Sequence, residues 1–145
     1  MRIQRLLIWA AWLVHVVAWF LPVVKEGVTL PDGLPGWQAF RVAASAVWPL
    51  PDVTLDKWYK AVLFTMSAVT TLLFFPGSAW AVSSGSRTLR QAFAWAATSA
   101  FVVNAHWYVL YGGSARQDLR IGYFLWWLSF LLLALGLFDL SRRSK

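Results

Sequence analysis

Residues 121–138 read IGYFLWWLSFLLLALGLF, an uncharged run of 18 residues. A helix rises about 1.5 Å per residue, so runs of about 20 residues match a hydrocarbon core roughly 30 Å thick. The same reading applies to residues 6–24, 58–75 and 90–111. Together the four runs take up more than half of a 145-residue chain that is 59% hydrophobic and 13% charged; soluble domains carry about 25% charged residues. The apolar excess has to face something other than water. The expected fold is an all-α integral membrane protein, a four-transmembrane-helix bundle forming a single membrane domain over residues 1–145, because loops and tails are too short for a second core.

An even number of spans puts both termini on one side. Arg2, Arg5, Arg87, Arg90, Arg142, Arg143 and Lys145 fall there, whereas Lys25, Arg41, Lys57, Lys60, Arg116 and Arg120 are spread over a longer stretch on the other side. The density of positive charge in short segments beside the spans puts the termini in the cytoplasm. Positive residues at the ends of apolar runs suit anionic lipid headgroups as partners, and their scatter speaks against nucleic acid. Arg2 and Arg5 precede the first run as in a secretory signal. The apolar stretch is longer than a signal core of about 7–15 residues, and FLPVVKEG follows without a small-residue cleavage site, so this run is read as an uncleaved span. With no cysteine, disulfides and thiolate metal or redox chemistry are excluded.

The long connection after the first run carries turn chemistry at both ends, LPDGLPG and PLPD. Between them residues 36–47 have a helical period, with Trp37, Phe40, Ala44 and Trp48 on one face and Gln38 and Ser45 turned elsewhere. Such a helix is too short to span. It is expected either to lie in the interface plane of the first extracytoplasmic loop, with Trp37, Phe40 and Trp48 as interfacial residues, or to cap the bundle as a lid. Pro76 is expected to end the second helix, leaving PGSAWAVSSGSR as a flexible turn with Trp80 at headgroup level. Gly112 and Gly113 suit a helix C-terminus. Of 11 tryptophans, Trp19, Trp37, Trp48, Trp58, Trp107, Trp126 and Trp127 fall near outer ends or in the outer loop, which reads as an aromatic belt rather than a ligand cage.

Helices in lipid associate where small residues let backbones approach. Ala92, Ala96, Ala100 and Asn104 recur every four residues in the third run; Gly122, Ser129 and Gly136 recur every seven in the fourth, the spacing of a left-handed seam. Ser67, Thr70 and Thr71 give the second run a hydroxyl face. In the first run Ala11, His15 and Ala18 share a side, so His15 is expected to face protein and to hydrogen-bond a Ser, Thr, Asn or carbonyl across the bundle. His106, among Trp107, Tyr108 and Tyr111, is expected to reach headgroups or water.

Acid/base and hydrolytic mechanisms need a carboxylate, an activated nucleophile or a metal, and no Asp or Glu lies inside an apolar run. No catalytic or metal-binding residue is assigned. Two histidines on antiparallel spans could ligate a b-type haem, making His15 and His106 the cofactor-binding pair of an electron-transfer alternative. A small oligomeric transporter or lipid-binding protein is the other alternative, although the membrane-embedded acid usual in a transport path is missing. In layout the chain resembles small four-span inner-membrane proteins of bacteria, on its LPDGLPGWQAF segment and its last helix; the resemblance implies a multi-pass protein of the cell membrane and no residue's role. The expected function is non-enzymatic and structural or accessory, acting through contacts with another membrane protein or with itself.

Overall fold

The computed structural model describes residues 3–25, 33–50, 57–110 and 117–143. It is about 83% helical. Four long helices, α1 (Ile3–Phe20), α3 (Trp58–Ser83), α4 (Arg87–Asn104) and α6 (Ile121–Arg142), are joined by a short α2 (Gly36–Ala43) and by α5 (His106–Leu110). Three of the long helices, α1, α3 and α6, are long and apolar enough to cross a membrane. The fourth long helix, α4, falls short because Arg87, Thr88, Arg90, Gln91, Thr98, Ser99 and Asn104 dilute its apolar residues.

Helix α6 is the centre of the packing, flanked by α1 on one side and α4 on the other, with α3 against α4. The α1–α6 seam has a period of seven on both helices. A Cβ on Gly122 would lie 2.7 Å from the carbonyl oxygen of Pro22 and 2.8 Å from that of Leu21, and one on Gly136 would lie 2.8 Å from Ile8 Cγ1. Between them Ser129 meets His15. Glycine or serine at each of these positions lets the two backbones close up, as small residues do between membrane helices. Ala11 and Ala18, one turn to either side of His15, are also buried.

Sequence reading placed the end of the second helix at Pro76, and this is corrected: α3 runs through Pro76 to Ser83. A proline inside a helix removes one backbone hydrogen bond and crowds the preceding turn. Here the turns beyond it are held by packing. The Trp12 indole donates to Ser78 Oγ at 3.0 Å, the Phe93 ring lies against Gly77, and Ala81 is fully buried. The connection shrinks to Ser84–Ser86, where Gly85 has φ +70° and the Ser86 hydroxyl caps α4 by accepting from Leu89 N–H. Arg90 closes the other end of the turn, its guanidinium donating to the Ala81 and Val82 carbonyls at the end of α3.

The third run is also corrected. It starts at Arg87 and breaks at Ala105 into α4 and α5 rather than running unbroken through residues 90–111. The break strands carbonyls at the α4 C-terminus, and side chains from elsewhere collect them. The Tyr123 hydroxyl donates to Asn104 O at 3.0 Å and His106 Nδ1 to Val103 O at 2.7 Å, while Trp127 Nε1 adds a second bond, at 2.7 Å, to Phe101 O, which also accepts from Ala105 N–H.

A feature absent from the sequence reading is a two-stranded antiparallel ribbon of β1 (Pro22–Val24) and β2 (Leu34–Pro35). Val24 also bridges Leu119, Lys25 N–H donates to Asp118 O and Arg120 N–H to Val23 O. The ribbon therefore ties the end of α1 to the starts of α2 and α6. We refer to this as the capped end; the other end, where α1 begins and α6 finishes, is the open end. Gly112, Gly113, residues 30–32 of the first proline-rich turn and residues 51–52 of the second lie outside the described residues.

Candidate functional site

Beneath the cap the helices are joined by a continuous set of hydrogen bonds. Ser67 on α3 donates its hydroxyl to Asn104 Oδ1 on α4, and Asn104 Nδ2 donates to Thr70 Oγ1 at 3.2 Å. Trp107 Nε1 donates to Ser67 Oγ at 3.1 Å, and Trp126 Nε1 to Thr71 Oγ1 at 3.2 Å. Thr71 in turn donates to the Ser67 carbonyl at 2.8 Å. The hydroxyl face of α3 thus meets α4, α5 and α6 at once, and every named side chain spends its donor inside the protein.

This overturns part of the aromatic-belt reading. Trp107, Trp126 and Trp127 point their N–H groups inward, and so does Trp12 toward Ser78. Trp37, Trp48, Trp58 and Trp80 are exposed. Trp19 stacks on Phe40 with ring centroids 5.5 Å apart, joining α1 to α2. A tryptophan at a helix end is compatible with either direction, because an indole offers both an apolar body and one donor; what decided here was a buried hydroxyl or carbonyl within reach.

His15 is fully buried. Its Nδ1 lies 2.9 Å from Ser129 Oγ, and Ser129 donates its own proton to the Trp126 carbonyl. The His15 ring stacks on Phe74 at 3.9 Å between centroids, with Phe75 and Phe130 edge-on. Since the Ser129 proton is used, Nδ1 is the protonated nitrogen and donates; Nε2 is left buried without a partner among the described residues.

His106 does not reach out to headgroups as the sequence suggested. It is buried, held by its bond to the Val103 carbonyl, and tilted against Trp107. The two histidines are not brought together: His15 is enclosed by phenylalanines at the α1–α6 seam, His106 sits past the α4 break, and neither lines a cavity described below. Neither of these two cavities offers the rings a shared haem site, and the haem alternative is not carried further. Among the described residues no group of three or more His, Asp or Glu is placed to hold a metal ion.

The small-residue stripe on α4 is rotated from the expected one. The buried edge is Ala94, Ala97, Ala100 and Asn104, while Ala92 and Ala96 are exposed. A strict four-residue repeat drifts around a helix of 3.6 residues per turn, so Ala92 and Ala96 leave the face that Ala100 and Asn104 occupy. The helix over residues 36–47 is likewise corrected. After Ala43 the chain tightens into a 3₁₀ turn, Ala44–Ala46, which advances three residues per turn and breaks the period carried through to Trp48. From the turn onward Ser45 is buried and Trp48 exposed, the Trp48 ring lying under the Arg41 guanidinium at 3.3 Å; within α2 itself Ala43 is buried and Trp37 exposed.

Packed on α1 and α3, α2 roofs a cavity of about 90 Å³. Its walls include Ala18, Trp19, Val24, Leu34, Phe40 and Ala43. The hydrogen-bonded set lies at its floor, through Ser67, Thr71, Trp107, Tyr123 and Trp126. A second cavity of about 100 Å³ lies between α3 and α4, bordered by Leu73, Phe93, Ala96 and Ala100. Set beside known proteins, the chain matches no family model, no curated sequence and no solved structure.

Proposed function

We propose that the chain is a small, non-enzymatic, multi-pass protein of the cell membrane that works through helix contacts, as an accessory subunit of a larger membrane complex or as a homo-oligomer. In this reading α1, α3, α4 with α5, and α6 are four spans, the open end with both termini lies in the cytoplasm, and the capped end lies outside. The observation that supports it is the uncovered face of α4. Thr88, Ala92, Ala96 and Ser99 are exposed there, interleaved with the exposed Trp95 and Val102. Lipid is met well by large apolar side chains such as the exposed Leu13, Val62 and Leu72 of α1 and α3. Small and hydroxyl residues gain little from lipid and allow another backbone to come close. With alanine on its buried edge as well, α4 carries small residues on two sides, and those on the outer side leave room beside Trp95 for the backbone of a neighbour.

The test is native mass spectrometry of the protein released from its membrane in mild detergent, wild type against Ala92→Leu/Ala96→Leu. The expected result is a multimer, or a complex with a second polypeptide, that the double variant loses while remaining helical. A wild-type monomer, or an assembly indifferent to both leucines, would remove this face from the account. Since the chain has no cysteine, Ser84→Cys and Val47→Cys report sidedness directly. An impermeant maleimide applied to intact cells should label the variant at 47 and spare the one at 84.

A further inference from the structure

We infer that the cavity under α2 binds an apolar group that ends in a hydroxyl, either a small free alcohol or the hydroxylated end of a longer lipid chain. The inference does not depend on what covers α4.

The chemistry follows from counting donors and acceptors at the floor. The Ser67 hydroxyl donates to Asn104 and the Thr71 hydroxyl to the Ser67 carbonyl. The Tyr123 hydroxyl donates to the Asn104 carbonyl. The indole protons of Trp107 and Trp126 go to Ser67 Oγ and Thr71 Oγ1. All five donors at the floor are therefore committed. A hydroxyl oxygen accepts at two lone pairs, so Ser67 and Thr71 each keep one acceptor position among the described residues, and both line the cavity while almost wholly buried. An occupant has to bring the donor.

Water brings donors too, yet it fits poorly. The volume corresponds to about three waters at their share of liquid volume, and each needs two to four polar partners. Three waters carry six O–H groups, and a hydrogen-bonded chain of three spends two of them within itself, leaving four. Even with the Tyr123 oxygen included, the floor has three acceptors to offer, and the walls of Ala18, Val24, Leu34, Phe40 and Ala43 offer none from their side chains. An apolar cavity of about 150 Å³ in another protein stays dry and takes one benzene; by proportion this one takes about four heavy atoms. One hydroxyl on a slender apolar stem satisfies the floor and covers the walls together.

The experiment uses photolabelling of the full-length chain in detergent. The probes are a diazirine-bearing medium-chain alkanol, a diazirine-bearing long-chain fatty alcohol, and the methyl ether of each, with adducts located by peptide mass spectrometry. The alcohols should label α2 and the capped ends of α1 and α6, and exceed their ethers there by about three- to tenfold, the span expected for one hydrogen bond. Ala43→Leu, which fills the cavity from its roof, should abolish that labelling with helicity and melting retained. Ala39→Leu serves if the first variant does not fold. Labelling by the medium-chain alcohol alone identifies a free small alcohol as the ligand, and labelling by both identifies a lipid. Equal labelling by alcohol and ether would overturn the role of the floor. Adducts scattered over exposed helix faces and indifferent to Ala43→Leu would overturn the site.

Discussion

The two ends of this protein are held by different means. At the capped end, α3, α4, α5 and α6 are joined by hydrogen bonds through Ser67, Thr71, Asn104, Trp107 and Trp126, beside a cavity. At the open end the same helices touch through Ala81, Ala94, Ala97, Leu133, Ala134 and Leu137. There Gly136 meets Ile8 with no space for a Cβ. Apart from the tight turn at Ser84–Ser86, the irregular segments among the described residues are at the capped end: the ribbon, the 3₁₀ turn and the break at Ala105. Irregular backbone frees carbonyls and leaves gaps, and away from water these need side-chain donors. Regular helices need only shape. The lesson is that side-chain donors at the capped end serve polar groups, Tyr123 and His106 at the break and Trp107 and Trp126 at the α3 hydroxyls, whereas the alanines at the open end serve close packing.

The strongest way to break this comparison is to force bulk into the open end. Gly136→Leu is expected to cost about 3 kcal/mol, at the upper part of the usual range for overpacking, because the nearest atoms are Ile8 Cγ1 and the Gln4 backbone. The midpoint of an SDS unfolding titration in detergent measures it. At the capped end, Asn104→Leu removes the acceptor of the Ser67 hydroxyl and the donor to Thr70. Interhelical hydrogen bonds in membranes are worth about 0.6 kcal/mol on average and up to about 1.7, so two lost together should cost about 1–2 kcal/mol in the same titration. If Asn104→Leu proves the more damaging of the two, hydrogen bonding and not packing dominates the stability, and the comparison reverses. Adding Ser67→Ala to Asn104→Leu sharpens it: the bond between the two side chains is lost in either single variant, so the double variant should cost less than their sum by about 0.6 kcal/mol, while still stranding the Trp107 N–H.

The division between ends was partly legible in the sequence. Gly122, Ser129 and Gly136 could be read as a seam because a period of seven survives in a straight helix, and the structure places them against Pro22, His15 and Ile8. Hydropathy marked α1, α3 and α6, whose apolar residues are nearly uninterrupted. What could not be read was anything set by a distant partner. Pro76 is a local signal to stop; the reasons to continue are Trp12 and Phe93, far away in the chain. The break at Ala105 has no local mark at all, and its cost is met by Tyr123 from the next helix and by the His106 ring. The ribbon is three residues against two, too short for any alternation to show. The buried edge of α4 was missed through register alone, alanine being so frequent along it that several stripes could be drawn.

His15 sits where the two ends meet, and the smallest expected effect belongs to it. Its imidazole looks as if it were a keystone, since it is fully buried and joins α1 to α6 through Ser129. The hydrogen-bond accounts say otherwise. Ser129 remains satisfied without it, through the Trp126 carbonyl, while Nε2 is a buried nitrogen with no partner among the described residues. Removing a donor whose acceptor keeps another bond orphans nothing, and removing an unsatisfied nitrogen recovers about 1–3 kcal/mol of desolvation. Against this stands the loss of ring contact with Phe74, Phe75 and Phe130. His15→Leu should therefore shift stability by less than about 1 kcal/mol, far less than Gly136→Leu further along the same seam toward the open end. A large loss of stability in the SDS titration would show that Nε2 has a partner in the membrane, and that the seam is held by polar contacts along its whole length.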